Sequence, residues 1–325
     1  MTAPDSEGSQ AVEDERRLQV DAYLNASLVR GQTEGTVRYR RVYLAQFVDW
    51  LSGREIREWE AVTWRDLEEH VVWLQTRRNR RSQAGARLSM HTVAAAVSVL
   101  RSFFAWLTTY GRLPADPAVG LKLGRYDRTP QRPVLSIAEV EALLDAPGVD
   151  AVGLRDRAIL ETFYSTGVRR AELCALDCYD VDFSEGAIQV RNGKGGRDRV
   201  VPVGSVAISA IRRYLRESRP LLLAGGKDPG LFVASITHQR ISAKDLNWMI
   251  LKYGTRAGIA GRVTPHVLRH TCATHLLQGG ASIRDVQAIL GHACIGTTQL
   301  YTRVSADDLV AVHARAHPRD ALGVP

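Results

Sequence analysis

From about residue 19 to 110, apolar side chains return at helical spacing. In TVRYRRVYLAQFVDWL, Val37, Leu44, Val48 and Leu51 fall on one stripe, and HTVAAAVSVLRSFFAWLTTYG repeats the pattern until Gly111 stops it. Roughly four or five helices are predicted there. The following GRLPADPAVGLKLGRYDRTPQRP carries Pro, Gly and basic residues without a period, which predicts a linker over residues 113–133. Beyond it Ser136 and Glu139 stand three apart, a capping box that opens a second helical region. One segment breaks the helical period: in GAIQVRNGKGGRDRVVPV (186–203), two β-rich runs flank the turn dipeptide Asn192-Gly193, which puts Lys194 at a hairpin tip. Near the end, in SADDLVAVHARAH, Ser305 and Asp308 form another capping box, and Leu309, Val312 and Ala316 form an apolar stripe. The pattern predicts a mainly α chain with a small β-hairpin or sheet, in two domains: a helical one over 19–112 and an α+β one over 134–325. Residues 1–18 are small, polar and acidic and predict a disordered tail or a fraying helix start.

Composition narrows the class of partner. With 325 residues and 45% hydrophobic content, the chain can bury the cores of two domains. Charges interrupt its apolar runs short of the roughly 20 residues of a membrane span. The acidic start lacks the basic and apolar regions of a signal peptide, so a cytoplasmic location with no membrane partner is expected. The formal net charge of +8 is carried by arginine more than lysine, and the planar guanidinium fork suits bidentate contact with phosphate. Nucleic acid is the partner this implies. The basic segment RRNRRSQAGARLS (77–89) fits a solvated loop as well as one that tracks phosphates. Cys174, Cys178, Cys272 and Cys294 form no C-x-x-C pair and complete no zinc set, so reduced, buried thiols are expected.

Several polar groups stand where packing alone does not ask for them. In TPHVLRHTCATHLL (264–277), Thr264 is a good N-cap and Pro265 suits the first helical position. His266 and Arg269 then share a face of the first turn, beside free backbone N–H groups that favour an anion. Val267, Leu268, Cys272, Ala273 and Leu276 cover the buried face, while His270 and His275 read as structural. His266 and His270 stand four apart like a metal pair, but the glutamate and further ligands of the H-E-x-x-H type are missing, and no metal is predicted. In YSTGVRRAELCAL, Arg169 and Glu172 are three apart, so the carboxylate can orient the guanidinium; taken alone this matches an ordinary surface ion pair. In LGHACIGTTQLYTRV, His292 follows the end of helix SIRDVQAIL, and Tyr301 lies on a short helix begun by Thr297 or Thr298.

In chain order these groups read Arg, Lys, His-x-x-Arg, His, Tyr. TGVRRAEL, GKGGRDR, TPHVLRHTCATHLL and LGHACIGTTQLYTRV together resemble the successive motifs of the tyrosine site-specific recombinases, the phage integrase family. The resemblance covers nearly the whole chain, and the spacing and the closing AHPR (316–319) are similar to the compact Xer-type members. It implies two arginines at Arg169 and Arg269 that hold the scissile phosphate, Lys194 as proton donor to the leaving oxygen, and His266 and His292 as supporting groups. Tyr301 would be the nucleophile and Glu172 an acidic support. It also implies a helical core-binding domain that closes on duplex DNA with the catalytic domain, paired half-sites, and a homo- or hetero-tetramer on two duplexes. In that assembly the helix at 305–317 docks into a neighbouring protomer; as a lone helix it could equally pack in cis. The activity implied is strand exchange through a Holliday junction in the nucleoid, needing no metal, cofactor or ATP, with dimer resolution as the Xer-like role. Mobile-element integration, a tyrosine-type topoisomerase and a non-catalytic DNA-binding protein are the alternatives.

Overall fold

Side-chain caps set most of the helix boundaries. The computed structural model describes residues 6–78, 87–123, 133–191, 198–291 and 306–321, the side chains of 6–14, 306–308 and 321 excepted. These fall into two compact units, Met1–Pro130 and Gln131–Pro325. The first contains α1 (Ser6–Val29), α2 (Glu34–Ser52), α3 (Trp64–Thr76) and α4 (Met90–Thr109). Thr33 and Ser89 cap α2 and α4, accepting the Thr36 and Thr92 N–H groups, and Thr63 with Asp66 forms a full capping box on α3. An aromatic cluster fills the core between them. Trp59 meets Phe103 edge-on at 5.0 Å, and the buried His70 lies 4.8 Å from Phe47. Burial first, then the charges of Arg54 and Arg77, push the His70 pKa down to about 3, so it packs as a neutral ring. By length and composition α4 could cross a membrane, yet Val93, Leu100, Phe103, Phe104 and Leu107 line this core.

Two sequence boundaries need correction. Of the two readings of residues 1–18, a disordered tail or a helix start, the described part takes the helix: α1 runs from Ser6, and its buried Arg16 lies 4.6 Å over the Trp59 ring and donates to the Ile56 carbonyl at 2.9 Å. The linker does not begin at 113: Leu113, Ala118 and Leu121 are buried in the core of the first unit.

The second unit is built around α6 (Ala151–Thr166), whose Ala158, Ile159, Leu160 and Phe163 are wholly buried. Before it lies α5 (Ile137–Asp145), opened by the predicted Ser136–Glu139 box, and after it α7 (Arg170–Ala175). The strands β1 (Val181–Asp182), β2 (Ala187–Val190) and β3 (Arg199–Pro202) form an antiparallel sheet in that order, with Ile188 opposite Val201. The predicted hairpin is β2–β3; its turn at Asn192-Gly193 lies outside the described residues. Then come α8 (Ser205–Arg213), a π-turn over Tyr214–Ser218, α9 (Arg219–Leu223), α10 (Ala243–Arg256), α11 (Pro265–Gln278) and α12 (Ile283–Leu290). The chain closes with α13 (Ala306–Ala316) and α14 (Pro318–Ala321). Leu309 and Ala316 of α13 are buried in this unit's own core, so in the single chain the helix expected to dock into a neighbour packs in cis. The molecule is mainly α with one small sheet.

Phe103→Ala should therefore cost about 3–5 kcal/mol, the usual range for a large aromatic removed from a packed core. The check is urea denaturation followed by tryptophan fluorescence, which is expected to show an earlier transition with native activity at low denaturant.

Candidate functional site

Two helix ends and the side chains around them define a cluster in the second unit. Gly167 closes α6 in the left-handed region at φ 56°, its N–H donating to the Phe163 carbonyl at 2.9 Å. A Cβ there would come within 2.5 Å of Leu290 and 3.1 Å of the Cys272 sulfur. Gly291 closes α12 at φ 66°, and a Cβ on it would meet Arg199 Nε at 2.6 Å. Backbone conformation and close approach both call for glycine at these positions.

Arg169 sits just before α7. Its backbone N–H donates to Glu172 Oε2 at 2.8 Å, its Nη1 donates to Oε1 at 2.8 Å, and its Nη2 donates to the Gly291 carbonyl at 3.0 Å. The three-residue spacing thus lets one carboxylate hold both the backbone and the side chain of the same arginine. Arg199, the first residue of β3, bonds both oxygens of that carboxylate at 3.0 and 2.8 Å. Arg269 reaches from α11 to the carbonyls of Gly167 at 2.5 Å and Leu290 at 2.9 Å.

The electrostatics follow from this sharing. Burial alone would raise the Glu172 pKa, but hydrogen bonds from Arg199 and then from the Arg169 backbone and guanidinium outweigh it and hold the carboxyl down at about 2. Arg269 is under the opposite stress: burial first, then the charge of Arg169, pull its pKa down to about 10, with Glu172 opposing. Three guanidiniums against one carboxylate leave excess positive charge in a partly desolvated place. An anion with several oxygens relieves it, and planar forks oriented by carbonyls suit a phosphate. A carboxylate already bonded on both oxygens offers a metal no ligand here.

Of the residues singled out in the sequence, the structure brings together Arg169, Glu172 and Arg269. His266 lies on the exposed side of the first turn of α11, after the predicted cap Thr264, whose hydroxyl accepts the Val267 N–H at 3.3 Å. Lys194, His292 and Tyr301 lie outside the described residues, as does Cys294. His275 is the structural residue it was read to be: it is buried, its Nδ1 shares a 2.8 Å hydrogen bond with the Tyr164 hydroxyl, and burial lowers its pKa. Cys272 is fully buried, and burial pushes its thiol up to about 12, while Cys174 and Cys178 are half-buried and free.

Sequence reasoning missed Arg199. Its signal was strand alternation, for Arg199 shares a face with Val201, which is 0% exposed, while Val200 between them is 40% exposed. A cation on the core side of a strand needs a buried partner, and Glu172 is that partner.

Comparison with known proteins agrees with this architecture. Residues 133–307 match the phage integrase family, and residues 20–111 match the phage integrase N-terminal SAM-like domain. Tyrosine recombinase XerC 2 of Ralstonia nicotianae is 39% identical over 303 residues, 92% of this chain and 85% of that protein. Tyrosine recombinase XerD of Pseudomonas aeruginosa is 37% identical over 302 residues, 92% of this chain and 97% of that protein. In fold, a lambda integrase tetramer bound to a Holliday junction is similar with a TM-score of 0.64 at 16% identity, over 90% of this chain and 79% of that one. With relatives this close over nearly its full length, the chain belongs to the phage integrase family of tyrosine recombinases.

Proposed function

We propose that this recombinase cuts and rejoins DNA at a specific site through a 3′-phosphotyrosine on Tyr301. The observation that carries the reading is the guanidinium cluster of Arg169, Arg199 and Arg269 around Glu172. A scissile phosphate placed there would set its two non-bridging oxygens against Arg169 and Arg269, whose bonds to fixed carbonyls pre-orient the forks before charge develops in the transition state. The Tyr301 oxygen attacks phosphorus, the bond to the 5′-oxygen breaks, and Lys194 gives that oxygen its proton. His266 takes the phenol proton, and His292 donates a hydrogen bond to a non-bridging oxygen. Tyrosine ordinarily loses its proton near pH 10, so the surrounding positive charge lowers the cost of the phenolate.

The phosphotyrosine keeps the energy of the broken bond, so rejoining needs neither ATP nor a metal. When the 5′-hydroxyl of a second duplex attacks instead, the product is recombinant, and a second round resolves a Holliday junction. Dimer resolution on nucleoid DNA, by recombinase tetramers on paired half-sites, is the role this reading favours; what supports it is the likeness to tyrosine recombinases of the XerC and XerD type and, for the assembly, to a lambda integrase tetramer bound to a Holliday junction. In the tetramer α13 would leave its cis position for a neighbouring protomer. The first unit would add salt-dependent contacts to the DNA backbone through its arginines. Arg199 acts through Glu172 as a positioning residue, holding the carboxylate where it orients Arg169.

Three measurements test this. On a nicked suicide duplex carrying the target site, the parent protein should form a covalent adduct and Tyr301→Phe none; an adduct with the variant would show another nucleophile. Arg269→Lys keeps the charge but loses the fork, so cleavage should fall at least a hundredfold while duplex affinity changes less than about threefold. Equal losses would make Arg269 a DNA-positioning residue only. Finally, the Glu172 carboxyl is depressed to about 2, so it stabilises the fold fully above its unfolded value and loses that contribution as pH falls toward about 2. The melting-temperature gap between the parent and Glu172→Gln should be constant above about pH 5 and close below it; a gap unchanged through that window would contradict the shared ion pair.

A further inference from the structure

Side chains from distant parts of the chain close several helix ends in the second unit. At the end of α6, His313 and His317 of the C-terminal segment donate to the Ser165 and Tyr164 carbonyls at 2.7 and 3.1 Å. The end of α7 is closed by Arg240, which lies between α9 and α10. Its Nη1 donates to the Cys174 carbonyl at 3.1 Å and to the Leu176 carbonyl at 2.8 Å, and its Nη2 pairs with the Asp177 carboxylate. One guanidinium thus holds the last turn of α7 and the two residues after it.

Arg240 is itself fixed. Its backbone N–H donates to Asp228 Oδ2 at 2.8 Å, and Oδ1 of the same carboxylate accepts the Gly230 N–H at 2.7 Å. Arg219 ties the loop from the other side, donating to the Asp228 carbonyl at 2.7 Å and to the Gly230 carbonyl at 2.8 Å. Backbone bridges join Asp177 to Gly230 and Val233 to Arg240. The short helix needs such a support, because the six residues Arg170–Ala175 make too few internal hydrogen bonds to offset the cost of nucleating a helix. Leu173, 1% exposed, anchors its middle, the Arg169–Glu172 pair holds its first turn, and Arg240 holds its last. Cys174 follows Glu172 by two residues, so a shift of that last turn moves the carboxylate that orients Arg169 and accepts from Arg199. A displacement of about 1 Å at a reacting group can cost on the order of a hundredfold in rate.

We propose that Arg240 is a positioning residue for strand cleavage, which acts through α7 on Glu172 and Arg169; the proposal rests on the reading of the guanidinium cluster as the place of cleavage. Arg240 suits the task because its planar fork spans two carbonyls and a carboxylate at once, a set that an ammonium cannot hold in one geometry. An arginine that served only the fold would, when lost, lower the melting temperature and leave the cleavage rate of the folded protein alone.

The test compares single-turnover cleavage of the nicked suicide duplex, duplex affinity and melting temperature in the full-length parent, Arg240→Gln, Arg240→Lys and Arg219→Gln. At saturating DNA, Arg240→Gln should cleave about tenfold or more slowly than the parent, with affinity changed less than about threefold. Lysine can still reach Asp177 and one carbonyl, so Arg240→Lys should recover part of the loss. Arg219→Gln loosens the same loop without removing a bond to α7 and should cleave within about twofold of the parent. Cleavage by Arg240→Gln at the parent rate, or an equal loss in Arg219→Gln, overturns the proposal. If Arg240→Gln loses its native circular dichroism, Arg240→Lys decides alone, with a loss of about threefold or more expected. The arginine Nε–H resonances give a reading without DNA: those of Arg169 and Arg199 should shift in Arg240→Lys and hold still in Arg219→Gln. A parent that forms no adduct defeats the cleavage reading itself, and unmoved resonances then defeat the positioning by Arg240 as well.

Discussion

Glu172 accepts hydrogen bonds from two guanidiniums, and a third stands close enough to feel its charge. Without that carboxylate, Arg169, Arg199 and Arg269 would crowd like charge into a partly desolvated place, where removal of one partner from a buried pair commonly costs about 3–5 kcal/mol. With it, one charge is offset and the excess remains. The stability of the second unit and the excess positive charge of the cluster thus rest on the same imbalance: enough anion to fold the cluster, too little to satisfy it.

Backbone carbonyls supply the other half of the arrangement. A helix leaves its last carbonyls unpaired, and its C-terminal end attracts cations. At the end of α6 these acceptors are taken from several directions: Phe163 by the Gly167 N–H, Tyr164 and Ser165 by the two C-terminal histidines, and Gly167 itself by Arg269. Leu290 and Gly291, at the end of α12, receive Arg269 and Arg169. The arginines are therefore aimed by main chain, which moves little, and the glycines that allow the approach cannot gain a side chain without displacing Leu290 or Arg199. One helix end thus holds both Arg269 of the guanidinium cluster and the C-terminal segment.

Local signals in the sequence predicted local structure well. The caps at Ser136 and Thr264, the proline at the first position of α11 and the strand pair about Asn192-Gly193 each depend on neighbours within a few residues, and β2 and β3 run as that pairing requires. Misreadings occurred where burial comes from afar. Residues before 18 look too polar to be ordered, yet the Arg16 guanidinium covers Trp59, and the helix extends back to Ser6. Leu113, Ala118 and Leu121 have no helical period and read as linker, but single apolar residues in turns can fill a core as well as periodic ones.

The sequence by itself determined which chemical groups are present and in what order: two arginines with an acidic partner, a hairpin lysine, two histidines and a late tyrosine, on a mostly helical chain. It placed Glu172 beside Arg169 because a helical start puts residues three apart on one face. Only the tertiary structure decided that Arg199, 27 positions after Glu172, shares that carboxylate, and that Arg269, 102 positions after Gly167, is held by the Gly167 carbonyl. It also decided that two histidines of the last helices close over the end of α6. The physical reason is that charge pairing inside a fold depends on which helix ends pack against one another, and side-chain periodicity records the face a residue presents but not the partner that face will meet.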